Sequence, residues 1–138
     1  MKSSTKQEAV IAVRAGQTIS DAAQRMREQR VGFLVVLDDE GNGVGAVTDR
    51  DLALRAVARR LPKDTAVSEV MTSPLEEVDA DSTRAQQVSR MASLGIRRLA
   101  LCRDDKVVGV VSHDDLASEL GADLDCLVFA TSRRCLKD

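Results

Sequence analysis

Two pairs of side chains have the spacing for chemistry. Thr48-x-x-Asp51 lies in "GAVTDRDL" (residues 45–52), and Ser112-x-x-Asp115 lies in "GVVSHDDL" (residues 109–116). Each sets a hydroxyl and a carboxylate one helical turn apart, directly after a Gly-apolar-Val stretch that reads as the end of a strand. The least such a pair can do is cap a helix. The hydroxyl accepts from the backbone N–H three residues on, and the acid reaches back to the cap's own N–H, together worth about 1 kcal/mol. Such a helix start also offers free N–H groups and a dipole that favour an anion. Arg50 and His113 stand between hydroxyl and acid, where each could neutralise an anion or face solvent.

Catalysis finds no comparable constellation. His113 is the single histidine, Tyr and Trp are absent, and Cys102, Cys126 and Cys135 lack a histidine near them in sequence. No CxxC occurs, so neither a disulfide framework nor a Cys-based zinc site is expected, and the free thiols fit a reducing cytoplasm. Phe33 and Phe129 are the only aromatic residues, too few for base stacking. A net charge of −2 gives no diffuse attraction to nucleic acid or anionic lipid. The longest apolar run, "VGFLVVL", is too short to span a bilayer, and "MKSSTKQEAV" has no apolar core and is not expected to be a signal peptide.

The elements that position the two pairs come as a duplication. Residues 13–52 lie over 78–116: Thr18 on Thr83, Met26 on Met91, Val31 on Ile96, and "FLVVL" on "RLALC". From Gly45 onward the offset is one residue shorter. The change falls within "DDEGNG" against "RDDK", turn residues where a length change costs little. Each half reads as a short strand (Val10–Val13, Glu77–Val78), then a helix (Ser20–Gln29, Arg84–Ser93) opened by the capping boxes "TISD" and "TRAQ". A hairpin follows (Val31–Leu37 with Val44–Val47; Ile96–Cys102 with Val107–Val111), and then a last helix (Arg50–Arg59, stopped by Pro62; Asp114–Leu120). The expectation is an α/β (α+β) fold. Two β-α-β-β-α repeats, residues 8–62 and 63–121, pack sheet to sheet about a pseudo-twofold axis, and residues 122–138 form a C-terminal helical extension. The halves should superimpose except at residues 38–43 against 103–106.

Over residues 8–121 this organisation resembles the cystathionine-β-synthase (CBS) domain pair, or Bateman module. The resemblance is carried by "VMTSPLEEVDADST", by "IRRLAL" and by the two Gly-x-x-Thr/Ser-x-x-Asp stretches. It implies a regulatory sensor with two clefts between the repeats, with AMP, ADP, ATP or S-adenosylmethionine as ligand, no required cofactor and no catalytic activity. Thr48 and Asp51 would lie in one cleft, Ser112 and Asp115 in the other. Each carboxylate would accept hydrogen bonds from ribose hydroxyls. Arg97 and Arg98 open a buried strand and could grip phosphate bidentately, whereas Gly32 and Phe33 at the matching positions carry no charge. Apolar clamps for adenine would come from Ile11 and Val13 with Val35, and from Leu75 and Val78 with Leu99 or Ala100; positions of this kind also serve as plain core. The alternative is a structural or protein-interaction module whose hydroxyl–acid pairs only cap.

Apolar residues of the last helices (Leu52, Leu54, Val57, Leu61; Leu116, Leu120) and of the tail (Leu124, Leu127, Val128, Leu136) exceed what one module buries. They imply a homodimer, which the resemblance makes a disc of four repeats. An unidentified effector protein is the other partner expected, with no nucleic acid and no membrane span.

Overall fold

The computed structural model describes residues 10–129. Each repeat forms a three-stranded sheet. In the first, β1 (Ala12–Arg14) runs parallel to β2 (Phe33–Leu37), which pairs antiparallel with β3 (Gly43–Thr48). In the second, β4 (Glu77–Asp79), β5 (Arg98–Arg103) and β6 (Lys106–Ser112) repeat that order. The registers coincide residue for residue: Ala12 pairs with Val35 as Glu77 does with Ala100, and Phe33 with Thr48 as Arg98 does with Ser112. Even the irregularity in the ladder recurs, between Val36 and Leu37 and between Leu101 and Cys102.

The hairpin turns are where the halves part. Asp38 organises the longer one, its carboxylate accepting from the Glu40 and Asn42 N–H groups at 3.0 and 2.8 Å. The shorter one turns on Asp104 and Asp105, both left-handed (φ 51° and 63°), as a two-residue hairpin loop requires. Lys106 bridges the two tips, donating to the Glu40 carbonyl at 2.8 Å.

Between strands come α1 (Ile19–Gln29) and α3 (Arg84–Leu94), each opened by a complete capping box, at Thr18 with Asp21 and at Thr83 with Gln86. Their ends match too, in left-handed caps at Arg30 (φ 56°) and Gly95 (φ 65°).

Strand alternation sorts the apolar residues into layers. Leu34, Val36 and Val47 face α1 in the first repeat, with Val13, Ala22, Met26 and Leu52. Leu99, Leu101 and Val111 face α3 in the second, with Met91 and Leu116. The opposite faces meet each other: Val35, Ala46 and Phe33 against Ala100, Val110 and Cys102, with Leu75 of the linker among them. The sheets therefore pack face to face, and "FLVVL" reads as continuously apolar because β2 is covered on both sides. The linker belongs to the first repeat. Its 3-10 turn (Val67–Glu69) delivers Val67 and Val70 into the first core. It then pairs Thr72 with Ala46 along β3. Gly45 permits that approach, since a Cβ there would lie 2.6 Å from the Thr72 carbonyl oxygen.

The last helices depart from expectation. Instead of one α-helix over Arg50–Arg59, a single α turn, α2 (Asp49–Asp51), passes into a π-helix (Leu52–Val57), with Ala58 N–H bonding back to the Ala53 carbonyl. Arg55 accompanies the widened turn, its guanidinium reaching across to the linker carbonyls of Val70 and Met71 at 3.2 and 3.3 Å. In the second repeat, α4 (His113–Val128) does not stop at Leu120 but continues through Gly121 into the tail. Arg84 holds it there through Asp123 at 2.8 Å. Leu136 lies outside the described residues.

Candidate functional site

The cleft forms where three segments converge. The end of β3 and the start of α2 supply Thr48 and Asp51, the linker supplies Thr72, Pro74, Leu75 and Glu76, and the start of β5 supplies Ile96, Arg97 and Arg98. They enclose about 310 Å³, with Phe33 and Ala46 forming apolar floor. The first repeat thus contributes the hydroxyl and carboxylate, and the second contributes the guanidiniums.

Capping leaves binding capacity at Thr48 and Asp51. Thr48 Oγ1 accepts from Asp51 N–H, and Asp51 Oδ2 accepts from Thr48 N–H, each at 3.0 Å. The Thr48 hydroxyl proton and Asp51 Oδ1 are not used in those bonds. Oδ1 instead lies 3.8 Å from Nε of Arg55, whose Nη1 donates to Thr72 Oγ1 at 3.0 Å. One guanidinium therefore stands behind two groups that line the cleft. Glu76 is drawn off by Arg90 at 3.3 Å. Arg98 lies over the Phe33 ring at 5.4 Å, a cation–π contact between positions the duplication makes equivalent. The arginines thus give the cleft a positive wall opposite Asp51.

The other hydroxyl–acid pair is built differently. Ser112 Oγ accepts from Asp115 N–H at 3.1 Å, but the reciprocal bond expected of a capping box is not made. Asp115 Oδ2 is buried without a hydrogen-bond partner. The residue four further on is Glu119, where the first repeat has Arg55. By the duplication, the linker wall beside Thr48 has its counterpart in residues 7–11, of which Val10 and Ile11 belong to the described part of the chain.

The remaining candidates scatter. Arg50 is exposed beyond the cleft. Val13 is in the core under α1 and Val35 in the layer between sheets, on opposite faces of one sheet. Of the second clamp, Leu75 lines the cleft, while Val78 packs into the core under α3. His113, 3.2 Å from Asp114, borders a separate groove between α3 and α4, which Arg97 also touches. Sequence reasoning missed Arg55, Thr72 and Glu76. Arg55 was signalled by its helical spacing from Asp51. The two linker residues carried no local signal, because only pairing with β3 brings them to the site.

Cys102 faces the other sheet with its thiol 3.0 Å from Glu77 Oε2. Burial, reinforced by that hydrogen bond and the negative charge of Glu77, pushes the thiol pKa up to about 12. It is a poor nucleophile and a poor metal ligand near neutral pH.

Known proteins share this fold and its duplication. The CBS domain-containing protein YhcV of Bacillus subtilis (strain 168) is 37% identical over 108 residues, spanning 78% of this chain and 76% of its own. The crystal structure of the CBS-domain containing protein ATU1752 from Agrobacterium tumefaciens matches with a TM-score of 0.69 at 26% identity, over 81% of this chain and 84% of that one. The crystal structure of Hypoxic Response Protein I, described with two coordinated zinc ions, matches with a TM-score of 0.72 at 28% identity, over 83% of this chain and 92% of that one. Among the described residues, no group of three or more His, Cys, Asp and Glu could hold a metal ion. No helix among those residues is long and apolar enough to cross a membrane. The model of the CBS domain matches twice, at residues 6–57 and 67–122, and with the doubled sheet and the shared register this places the chain in the CBS-domain family as a tandem pair.

Proposed function

We propose that the chain is a cytoplasmic regulatory module that binds an adenosine-containing nucleotide in the Thr48–Asp51 cleft. It reports occupancy through a homodimer or a separate effector protein. The observation that carries this reading is the convergence of a hydroxyl, a partly uncommitted carboxylate and two guanidiniums on one cavity of about 310 Å³, near the lower end of ligand-site volumes. Asp51 Oδ1 suits ribose hydroxyls as donors, Arg97 and Arg98 suit a phosphate, and Phe33, Ala46, Leu75 and Ile96 offer apolar surface to a base. The cleft pairs no nucleophile with a base, so the output is occupancy rather than turnover. AMP, ADP and ATP use both ends of the cleft. S-adenosylmethionine uses the carboxylate end but brings a sulfonium towards the arginines.

Thermal melting against AMP, ADP, ATP and S-adenosylmethionine tests it. A ligand at a hundred times its Kd stabilises the native state by about 2.7 kcal/mol, an easily read shift. Absence of a shift with all four at millimolar concentration overturns the reading and leaves the module a structural or protein-interaction one.

A further inference from the structure

The two repeats run equivalent strands into their last helices and then part at one place. In the second, α4 continues as an α-helix from His113 onward. In the first, the α turn ends at Asp51 and the π-helix Leu52–Val57 takes over. The residue four beyond the acid differs in that same turn. Glu119 lies 3.8 Å from Arg84 of α3, whereas Arg55 reaches across to the linker. π turns within helices recur at functional sites, and this one carries the residue that touches the cleft wall from behind.

Arg55 Nη1 donates to Thr72 Oγ1 at 3.0 Å, besides the carbonyls of Val70 and Met71. The linker is held in place by other contacts as well. Val67 and Val70 are buried in the first core. Thr72 exchanges backbone hydrogen bonds with Ala46 at 2.8 and 2.9 Å, and Ser73 Oγ donates to the Val44 carbonyl at 2.9 Å. What is left for the guanidinium to set is the direction of the Thr72 hydroxyl. A hydroxyl carries one proton and two acceptor lone pairs, and a guanidinium only donates. Thr72 Oγ1 must therefore accept from Arg55, which turns its proton away from Arg55 and makes it available to a group in the cleft that Thr72 lines.

The same guanidinium stands 3.8 Å from Asp51 Oδ1. Around one arginine, the cleft wall thus shows a carboxylate oxygen that accepts and a hydroxyl set as a donor. An alcohol answers both, because it donates and accepts at once. A phosphate oxygen answers Thr72 alone, and an ammonium answers Asp51 alone. We propose that Arg55 is a positioning residue that determines specificity: by holding Thr72 as a donor near Asp51, it makes this wall select a ligand through its sugar hydroxyls. Arg55 acts through Thr72 rather than by touching the ligand. This rests on the nucleotide reading above and adds the residue that tunes it.

Titration calorimetry on the full-length chain, well below its melting temperature, tests it with AMP and the dideoxy analogue that lacks both ribose hydroxyls. The wild type should prefer AMP. Arg55→Met keeps the aliphatic stem and Thr72→Val keeps the shape, and each should cut that preference about fivefold, the scale of one hydrogen bond. Combined, they should cut it no further than the larger single loss, because both remove the same donor. Comparing two ligands within one variant cancels any loss of folded protein. An Arg55 that is only structural leaves the preference unchanged, and that result overturns the proposal. So does a preference that rises, or losses that multiply in the double variant. A wild type that binds both compounds equally overturns it too and leaves the nucleotide reading standing. A wild type that binds neither contradicts the nucleotide reading, and the proposal falls with it.

Discussion

Thr48–Asp51 and Ser112–Asp115 occupy the same place in two copies of one fold, and they are not the same site. In the first, both halves of the capping box are made and a guanidinium at the next turn stands 3.8 Å from the second carboxylate oxygen. In the second, only the hydroxyl half is made, and Glu119 replaces that guanidinium. The strands leading into them agree in register to the residue. The scaffold is shared, and the two pairs differ in the reciprocal carboxylate bond and in the side chain one helical turn beyond the shared motif.

Cutting away the shared part should produce the largest effect, and the same effect on both sides. Leu34 and Leu99 are fully buried at equivalent positions. Leu34→Ala and Leu99→Ala should each cost about 2–5 kcal/mol in denaturant unfolding. The layer between the sheets makes one cooperative unit of the halves, so each variant should still unfold in a single transition. Two separated transitions in either variant would mean that the repeats fold independently.

The caps should separate the halves by a smaller margin. Asp51→Ala should lose about 1 kcal/mol of stability and Asp115→Ala less, because only Asp51 returns a bond to the cap's own N–H. Equal losses would show that the reciprocal carboxylate bond adds nothing.

The left-handed caps test the comparison from the other direction. Arg30 holds the conformation that its counterpart Gly95 adopts without steric cost. Arg30→Gly should stabilise the protein by up to about 1 kcal/mol, the relief of strain exceeding the added freedom of the unfolded chain. A loss would show that the Arg30 side chain contributes more than its backbone costs.

The smallest effect is confined to alkaline pH. Cys102 stands where the first repeat has Leu37, and its pKa is raised from 9.0 to about 12. A group whose folded pKa is raised contributes stability that is full below its unfolded pKa and lost as pH rises towards the folded value. Melting temperature should therefore fall between about pH 9 and 12. Cys102→Leu should remove that part of the decline, and an unchanged decline would assign it to other groups.

Much of this was legible in the sequence. The two hydroxyl–acid stretches fixed the repeat, and the matching runs "FLVVL" and "RLALC" between turn residues placed the strands. Turn residues marked the one length difference. What escaped depended on contacts made at a distance. The π-helix is invisible to periodicity, because "LALRAV" suits an α-helix equally well. The continuation of α4 through Gly121 runs against a residue that ordinarily favours a helix end. The cleft itself crosses the repeats, joining Thr48 to Arg97, so pairing residues within each half grouped Val13 with Val35 across opposite faces of a sheet.

Titration calorimetry of AMP and ATP into the wild type, Asp51→Ala and Asp115→Ala, well below the melting temperature, tests the central claim most directly. The account predicts binding to the wild type in the Thr48–Asp51 cleft. Asp51→Ala should weaken it by about 1–3 kcal/mol, the scale of hydrogen bonds to a charged acceptor, and Asp115→Ala should leave that binding unchanged. Equal affinity in the wild type and Asp51→Ala would contradict it.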